Sequence, residues 1–201
     1  SDLGLTGPYT LDVTLSFDPR LDYTVGRRGV QFLDFGVMPG AGWVRDQNYA
    51  GPFVGMKAII PQSQFAAHAT ADTYLTALDV NIIRLADVVL MAAECHVELG
   101  QLGEALTLVN SIRLRAAKLP AKLTGTGVAA AKYNVKPYPA FANKEYAQKA
   151  VRFERRLELA MEGHRFYDLV RWGTVKGVLS SYAAFEGQHL PSFKNLVFNE
   201  H

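Results

Sequence analysis

Cysteine is almost absent from the sequence, which has one, Cys95, in 201 residues. A single thiol cannot form an intrachain disulfide, and it excludes a metal site built from several cysteines. Cys95 lies within a helical pattern, so we expect a small buried apolar residue there. Long apolar runs are also absent, since no stretch reaches the length that spans a bilayer. No signal peptide precedes Ser1, so either the protein is cytoplasmic or this chain begins after an export signal.

The motifs of nucleic-acid binding, metal binding and catalysis are missing as well. The net charge is +2 and no run of lysines and arginines occurs, which argues against a nucleic-acid surface. The five histidines do not combine with other ligands at a metal-binding spacing on one helical face. No nucleophile elbow and no phosphate-binding glycine loop occur. We therefore predict a protein without catalytic residues, bound metal or cofactor.

Glycine, proline and aromatic residues dominate the first part of the chain, and helical patterns dominate the second. Residues 1–78 show little periodicity but are too aromatic for disorder, so we expect an ordered, loop-rich region with short strands at most. A helical body is expected at 79–180 and an irregular tail at 181–201. Together they predict one mostly α-helical domain over residues 1–201, with long aromatic-rich loops.

Apolar stripes with helical spacing define the predicted body. A helix hairpin is predicted at about 82–99 and 103–117, and a third helix should follow Asn143, which can cap it. A last amphipathic segment is expected from 164 to about 180, after a break at Gly163. Each of the three helices has a stripe that is expected to face the core. These stripes are Leu85, Val88, Val89, Ala92, His96 and Leu99 in the first helix, Leu102, Ala105, Leu106, Val109, Ile112 and Ala116 in the second, and Tyr146, Ala150, Phe153, Leu157, Ala160 and His164 in the third. The hairpin resembles one tetratricopeptide-type unit, which needs further helices to cover its faces.

The run from Glu154 to Gly173 interleaves four arginines and four carboxylates with apolar residues at helical spacing. Residues three apart on a helix can pair, which predicts Arg155–Glu158, Glu162–Arg165, Arg165–Asp168 and Asp168–Arg171. We interpret the run as a partly buried ionic network that fixes how helices dock; its predicted members are Arg155, Glu158, Glu162, Arg165, Asp168 and Arg171. In a weaker alternative, Glu158 and Glu162 are the carboxylate pair of a glycoside hydrolase, but arginine partners would keep both ionised.

Aromatic side chains of the loop-rich region are candidates for ligand contact. Trp43 ends the glycine-rich segment 39–43, whose other residues are too small to bury it. Tyr49 follows a polar stretch, residues 45–48, that could hydrogen-bond hydroxyl groups. Aromatic faces stack on the C–H patches of sugars, so Trp43 and Tyr49 are predicted ligand contacts. The alternative is that Trp43 only plugs its loop onto the helical body.

Several of these segments together resemble the SusD/RagB family of outer-membrane nutrient-binding lipoproteins. The order and spacing match the C-terminal half of that family from about residue 17 to 175. The segments that carry the resemblance are Asp18-Pro19-Arg20, residues 83–94, residues 108–116 and the run from Glu154 to Gly173. The last of these is the most specific.

The resemblance implies a helical protein with tetratricopeptide-like helix pairs on the outward face of the outer membrane. Such a protein captures an oligosaccharide, or in some relatives a peptide, and acts as a lid on a SusC-like TonB-dependent transporter. It is non-catalytic and contacts the membrane only through a lipid on an N-terminal cysteine, which this chain does not contain. Asp87 stands where the family usually has Glu, and the usual closing Pro-Ile-Pro-type segment is missing. A helical scaffold that contacts only the transporter remains a further alternative.

Overall fold

A computed structural model of the chain describes residues 9–69 and 76–198, and describes only the backbone of residues 49 and 50. The α-helices are α1 Leu21–Thr24, α2 Gln47–Ala50, α3 Phe65–His68, α4 Leu85–Glu98, α5 Leu102–Ala116, α6 Lys144–Glu158, α7 His164–Arg171 and α8 Val175–Glu186. Short 3₁₀ turns occupy Ala41–Trp43, Gln62–Gln64 and Pro191–Phe193. The predicted mostly helical fold class is confirmed.

Among the described residues, the strands are four two-residue segments, β1 Ser16–Phe17, β2 Val25–Gly26, β3 Val54–Gly55 and β4 Lys132–Tyr133. β1 pairs with β4 in parallel and β2 pairs with β3 in antiparallel register. These pairings are too short to form a sheet layer with a core of its own. The β1–β4 pair ties the loop-rich part of the chain to the segment between α5 and α6, whereas the β2–β3 pair joins two segments within the loop-rich part.

α4, α5 and α6 form a three-helix body around the larger of two apolar clusters. α4 ends where Gly100 adopts a φ of 75°, and the amide of Gln101 then donates to the carbonyl of His96 at 2.8 Å. This left-handed turn closes the hairpin, and glycine suits it because it has no Cβ to clash. At the start of α6, Asn143 Oδ1 accepts from the amide of Tyr146 at 2.8 Å, so Asn143 is the predicted N-cap.

The face of α4 that is buried differs from the predicted stripe. Leu90, Ala93 and Val97 are fully buried, whereas Leu85, Val88 and Leu99 are 78%, 47% and 71% exposed. The prediction was wrong because α4 is apolar on most of its circumference, so periodicity alone could not select a face. Cys95, on the same helix, is exposed rather than buried.

α6 shows the same kind of difference, for an electrostatic reason. The predicted stripe residues Tyr146 and Phe153 are about half exposed, while Glu154, Arg155 and Glu158 are buried. Partners from other parts of the chain neutralise these charges, so the helix turns a charged face inward. Apolar periodicity cannot reveal such a face, because the sequence alone does not identify the partners.

The loop-rich region before α4 has a small apolar cluster of its own, formed by Phe32, Met38 and Met56. It attaches to the body through backbone contacts as well as side chains. The amide of Gln31 donates to the carbonyl of Leu123 at 2.8 Å, and Tyr23 Oη donates to the carbonyl of Pro120 at 3.0 Å. The described part of this region therefore has a packed core, and its strands are two residues long. Residues 1–8 and 70–75 of it lie outside the described residues.

The chain after α6 forms two helices where one segment was predicted. α7 begins after Gly163, at the predicted break, and ends at Arg171. Gly173 then takes a φ of 65° before α8 starts, so the chain turns between the two helices. α8 runs to Glu186, beyond the predicted limit of 180. Residues 199–201 of the predicted tail lie outside the described residues.

Candidate functional site

Two buried carboxylates of α6, Glu154 and Glu158, form the centre of an ionic network. Arg20 Nη1 lies 2.7 Å from Glu154 Oε1 and 3.1 Å from Glu158 Oε2. Arg113, on α5, donates to Glu154 at 2.7 Å, and Arg115 pairs with Glu158. Glu154 is fully buried and Glu158 nearly so. Buried charges of this kind are tolerated only when they are paired, which the arginines of two other segments provide.

Glu162, in the turn between α6 and α7, extends the network toward the loop-rich region. Arg84 donates to both oxygens of Glu162, at 2.6 and 2.9 Å, and also to Glu158 at 3.0 Å. Lys57 pairs with Glu162 and donates to the carbonyl of Glu158 at 3.0 Å. Burial alone would raise the pKa of Glu162, but the hydrogen bonds from Arg84 and Lys57 outweigh it and hold the pKa below its ordinary value.

A second branch of the network links α4, α6 and α7. Arg155 donates to Asp87 Oδ1 at 2.8 Å and to Asp168 Oδ2 at 2.9 Å, and all three residues are buried. Arg171 reaches Asp168 at 2.9 Å and makes a two-pronged contact with Glu94, at 2.9 and 2.7 Å. The branch fixes the angle at which α7 leaves the three-helix body.

Most of the predicted ion pairs were wrong, although most of the residues predicted to belong to the network do make ion pairs with other partners. The Asp168–Arg171 pair is present at 2.9 Å. Within the described part of the chain, Arg155 does not pair with Glu158, and Arg165 pairs with neither Glu162 nor Asp168. α6 ends at Glu158, so Glu162 and Arg165 do not share a helix. Glu158 and Glu162 instead pair with cationic side chains of other elements. Arg165 instead lies over the ring of Trp172, at 5.9 Å from its centroid.

Four arginines of the network were missing from the predicted set, namely Arg20, Arg84, Arg113 and Arg115. Each lies far along the chain from Glu158, so no local spacing could identify it. A signal did exist, because Arg20, Arg84, Arg113 and Arg115 lie in three of the segments that carry the family resemblance. Segments that match a family in order and spacing are candidates to meet in space.

The geometry of Glu158 and Glu162 does not support the glycoside hydrolase alternative. Glu158 faces the guanidinium groups of Arg20, Arg84 and Arg115 and is nearly inaccessible. A general acid needs a raised pKa, whereas the pKa of Glu162 is lowered by its cationic partners. Among the described residues, no group of three or more His, Cys, Asp or Glu side chains is arranged to hold a metal ion.

Trp43 is displayed on the surface of the loop-rich region. It ends the 3₁₀ turn Ala41–Trp43, and its ring is 43% exposed. The covered part packs edge-on against Phe32, with ring centroids 5.6 Å apart and planes at 83°. Phe32 is buried and also contacts Phe35, whose ring is 38% exposed. The loop thus presents the partly exposed rings of Trp43 and Phe35, and both pack against the buried ring of Phe32. Trp43 is anchored without being fully buried.

Polar groups accompany Trp43 on the surface. Arg45, Asp46 and Asn48 are exposed, and Asp46 Oδ1 accepts from the amide of Asn48 at 2.9 Å as the N-cap of α2. The backbone of Tyr49 belongs to α2, but its side chain lies outside what the structure describes. The role of Tyr49 as a ligand contact therefore stays a prediction. Nothing in the arrangement is reactive, and it is suited to contact rather than to bond making.

The fold and the site together define a class: a helical platform, braced by buried ion pairs, that carries an aromatic surface loop. The sequence profile of the SusD family matches residues 10–197. The chain therefore belongs to the SusD family, which confirms the predicted resemblance. Proteins of this family are binding proteins rather than enzymes and are cell-surface lipoproteins. Within the described residues, no helix has the length and apolar character needed to cross a membrane.

Similar proteins come from Formosa agariphila and from Bacteroides species. SusD-like proteins P25 and P38 of Formosa agariphila are 36% identical over 98 residues and 42% identical over 95 residues. These matches cover 49% and 46% of this chain but only 16% and 17% of the relatives' own length. The chain thus spans about a sixth of the curated relatives it matches.

Solved structures share the fold. A SusD superfamily protein of Bacteroides vulgatus superposes with a TM-score of 0.58 at 24% identity, covering 82% of this chain and 31% of the other. A SusD homolog of Bacteroides thetaiotaomicron gives a TM-score of 0.57 at 22% identity, covering 86% and 33%. The architecture described above is therefore that of about one third of a SusD-like chain.

Proposed function

We propose that this chain belongs to a non-catalytic, outward-facing protein of the bacterial outer membrane that captures oligosaccharides as nutrients. Capture delivers the glycan to a SusC-like TonB-dependent transporter. The observation that carries the proposal is the exposed, anchored ring of Trp43 beside polar side chains that can bond hydroxyl groups. Family membership supports it, because it is consistent with a nutrient-binding role in glycan uptake.

The physical basis of capture is a preformed contact surface. Sugars offer flat C–H patches to aromatic faces, and a ring that is already held in place loses little freedom on binding. The edge-on packing of Trp43 on buried Phe32 provides this preorganisation. The buried network, in turn, fixes the loop-rich region, since Arg20 and Lys57 reach from it to Glu158 and Glu162. We assign the network a structural role.

The test is oligosaccharide binding by the intact protein, first on a glycan array and then by titration calorimetry with the best glycan. Trp43→Ala should weaken the binding of that glycan about 2- to 10-fold, which is the range expected for the loss of one aromatic contact. The matched control is Phe153→Ala, which removes a half-exposed ring from α6, away from the loop. Circular dichroism should show that both variants remain folded.

Three outcomes would change the proposal. Equal affinity in Trp43→Ala and in the unaltered protein would remove Trp43 from the ligand site. A blank glycan array, combined with copurification of a TonB-dependent transporter, would favour the scaffold function. That alternative draws on one feature of the described chain, the exposed apolar side chains of Val80, Ile82 and Leu85, which are 79%, 80% and 78% exposed. Binding of oligopeptides instead of glycans would favour a peptide-nutrient protein.

A further inference from the structure

A cleft of about 860 Å³ lies beside α7 and α8, separate from the aromatic loop. Its apolar wall includes Leu169, Val178, Tyr182 and Phe185. Tyr182 and Phe185 are 49% and 61% exposed, so their rings are accessible from solvent. Nothing in the proposed capture by Trp43 uses this cleft. Its size is within the range of small-molecule binding sites.

Two arginines line the same cleft, Arg156 from α6 and Arg165 from α7. Both also line an adjoining cavity of about 230 Å³, so their side chains lie where the two cavities meet. Neither makes an ion pair with any carboxylate in the described chain, in contrast with Arg155 and Arg171 of the same run. The carboxylate of Asp168 also borders the smaller cavity, but Arg155 and Arg171 already occupy its oxygens.

Neither arginine has an ion-pair partner among the described residues, and the charge of Asp168 only partly offsets that of Arg165. Burial is the main cause of the lowered pKa of Arg165, and the positive charge of Arg156 lowers it further. Arg165 also lies over the face of Trp172, beside Arg152 and Arg171, so several cations share one ring. Arg156 and Arg165 are the charged residues in the lining of the larger cleft, and a cleft lined by charge of one sign attracts counter-ions. A guanidinium group offers a planar fork of donors that fits carboxylate and sulfate oxygens.

We propose that this cleft binds the anionic group, carboxylate or sulfate, of an acidic oligosaccharide, with Arg156 and Arg165 as its donors and Tyr182 and Phe185 as its stacking surface. The inference rests on the proposed function and narrows it to acidic glycans. The charged end of the cleft selects for the anion, while the aromatic wall accepts the ring of the sugar. Trp43 supplies a second, charge-independent contact elsewhere on the protein.

The experiment measures binding of three probes to the intact protein by calorimetry. Tetragalacturonate carries carboxylates, a sulfated carrageenan tetrasaccharide carries sulfates, and the methyl ester of tetragalacturonate is the neutral match. Arg156→Gln and Arg165→Gln should each weaken the binding of the preferred acidic probe about 10-fold or more. This is the loss expected for one charge-assisted hydrogen bond. Neither should change the affinity for the neutral ester. Phe185→Ala should weaken acidic and neutral probes alike.

The matched control is Lys118→Gln, which removes one exposed positive charge beyond the end of α5, away from the cleft. It should leave the acidic affinity unchanged, so that a drop caused by overall charge can be recognised. Higher salt should weaken the acidic probes and spare the ester. Comparison of the two acidic probes identifies carboxylate or sulfate as the source of the anion.

Several results would overturn the inference. One is the failure of both acidic probes to bind, and another is acidic binding that survives both arginine variants. A lowered melting temperature in Arg156→Gln or Arg165→Gln, without a change in affinity, would instead assign the cleft to packing within the whole protein. In each case, a neutral glycan whose binding depends on Trp43 would leave the proposed function standing. The absence of binding to every saccharide would contradict the proposed function itself.

Discussion

Replacing Arg155 by methionine should destabilise the protein more than any other change at the charged helices. Arg155 is 3% exposed and holds two buried carboxylates, Asp87 at 2.8 Å and Asp168 at 2.9 Å. Methionine keeps much of the volume and removes the charge. Asp168 would retain Arg171, but Asp87 would keep only His164, whose Nδ1 is 4.0 Å away. The variant therefore leaves one buried carboxylate almost without a partner.

The magnitude follows from that geometry. Removing one member of a buried ion pair costs about 3–5 kcal/mol, because the remaining charge is neither hydrated nor neutralised. Arg165→Met is the matched comparison from the same run, since Arg165 makes no ion pair within the described residues. It should lose only its contact with Trp172, about 1 kcal/mol or less. A double change, Arg155→Met with Asp87→Leu, should recover part of the loss, because the stranded charge is then gone.

Urea unfolding at neutral pH, followed by circular dichroism, measures all three variants. The free energies of unfolding should rank Arg165→Met above the double variant, and the double variant above Arg155→Met. A loss below about 1 kcal/mol in Arg155→Met would show that water reaches the pair, as in an exposed salt bridge. That result would refute the view that the network is buried and holds the helices in place.

Two further predictions test the network and the packing. The pKa of Glu162 is lower in the folded state than its ordinary value of 4.5, so its contribution to stability is fully present above pH 4.5 and is lost as the pH falls through the lower folded-state pKa. Urea melts between neutral and acidic pH should show this loss, and Glu162→Gln should reduce the pH dependence; an identical slope in the variant would contradict the assignment. Leu90→Ala, at a fully buried position, should cost about 2–5 kcal/mol. Leu85→Ala, at a position 78% exposed, should cost under about 0.5 kcal/mol, and equal losses would mean that the wrong face of α4 has been placed in the core.

Local signals predicted the helices well. Gly100 after α4, the Asn143 cap and the break at Gly163 each lie within a few residues of an observed helix end. Such signals act through neighbouring backbone groups, so a short window of sequence contains all the information they need. The stripe on α5 was also correct, since Ala105, Val109 and Ile112 face the core.

Several predictions failed because the outcome depended on distant partners. The inward face of α6 is charged because Arg20 and Arg113 meet it from other segments, and the inward face of α4 carries Asp87 because Arg155 meets it. For the candidate site, the glycine-rich segment predicted that Trp43 would not be buried. The packing that holds its ring, on Phe32, was invisible because it depends on how the loop folds back.

The charge run itself was evident in the sequence, since its residues are adjacent and their composition is unmistakable. Sequence alone also determined the extent of α4 and α5, the start of α6, the family resemblance, and the presence of an aromatic loop. Tertiary structure decided which acid meets which base. Arg20 reaches Glu158 across 138 positions of the chain, whereas Arg156 and Arg165 make no ion pair within the described residues. The reason is physical: a buried charge is stabilised by whatever opposite charge the fold brings within a few ångströms, and distance in space is fixed only when the chain has folded.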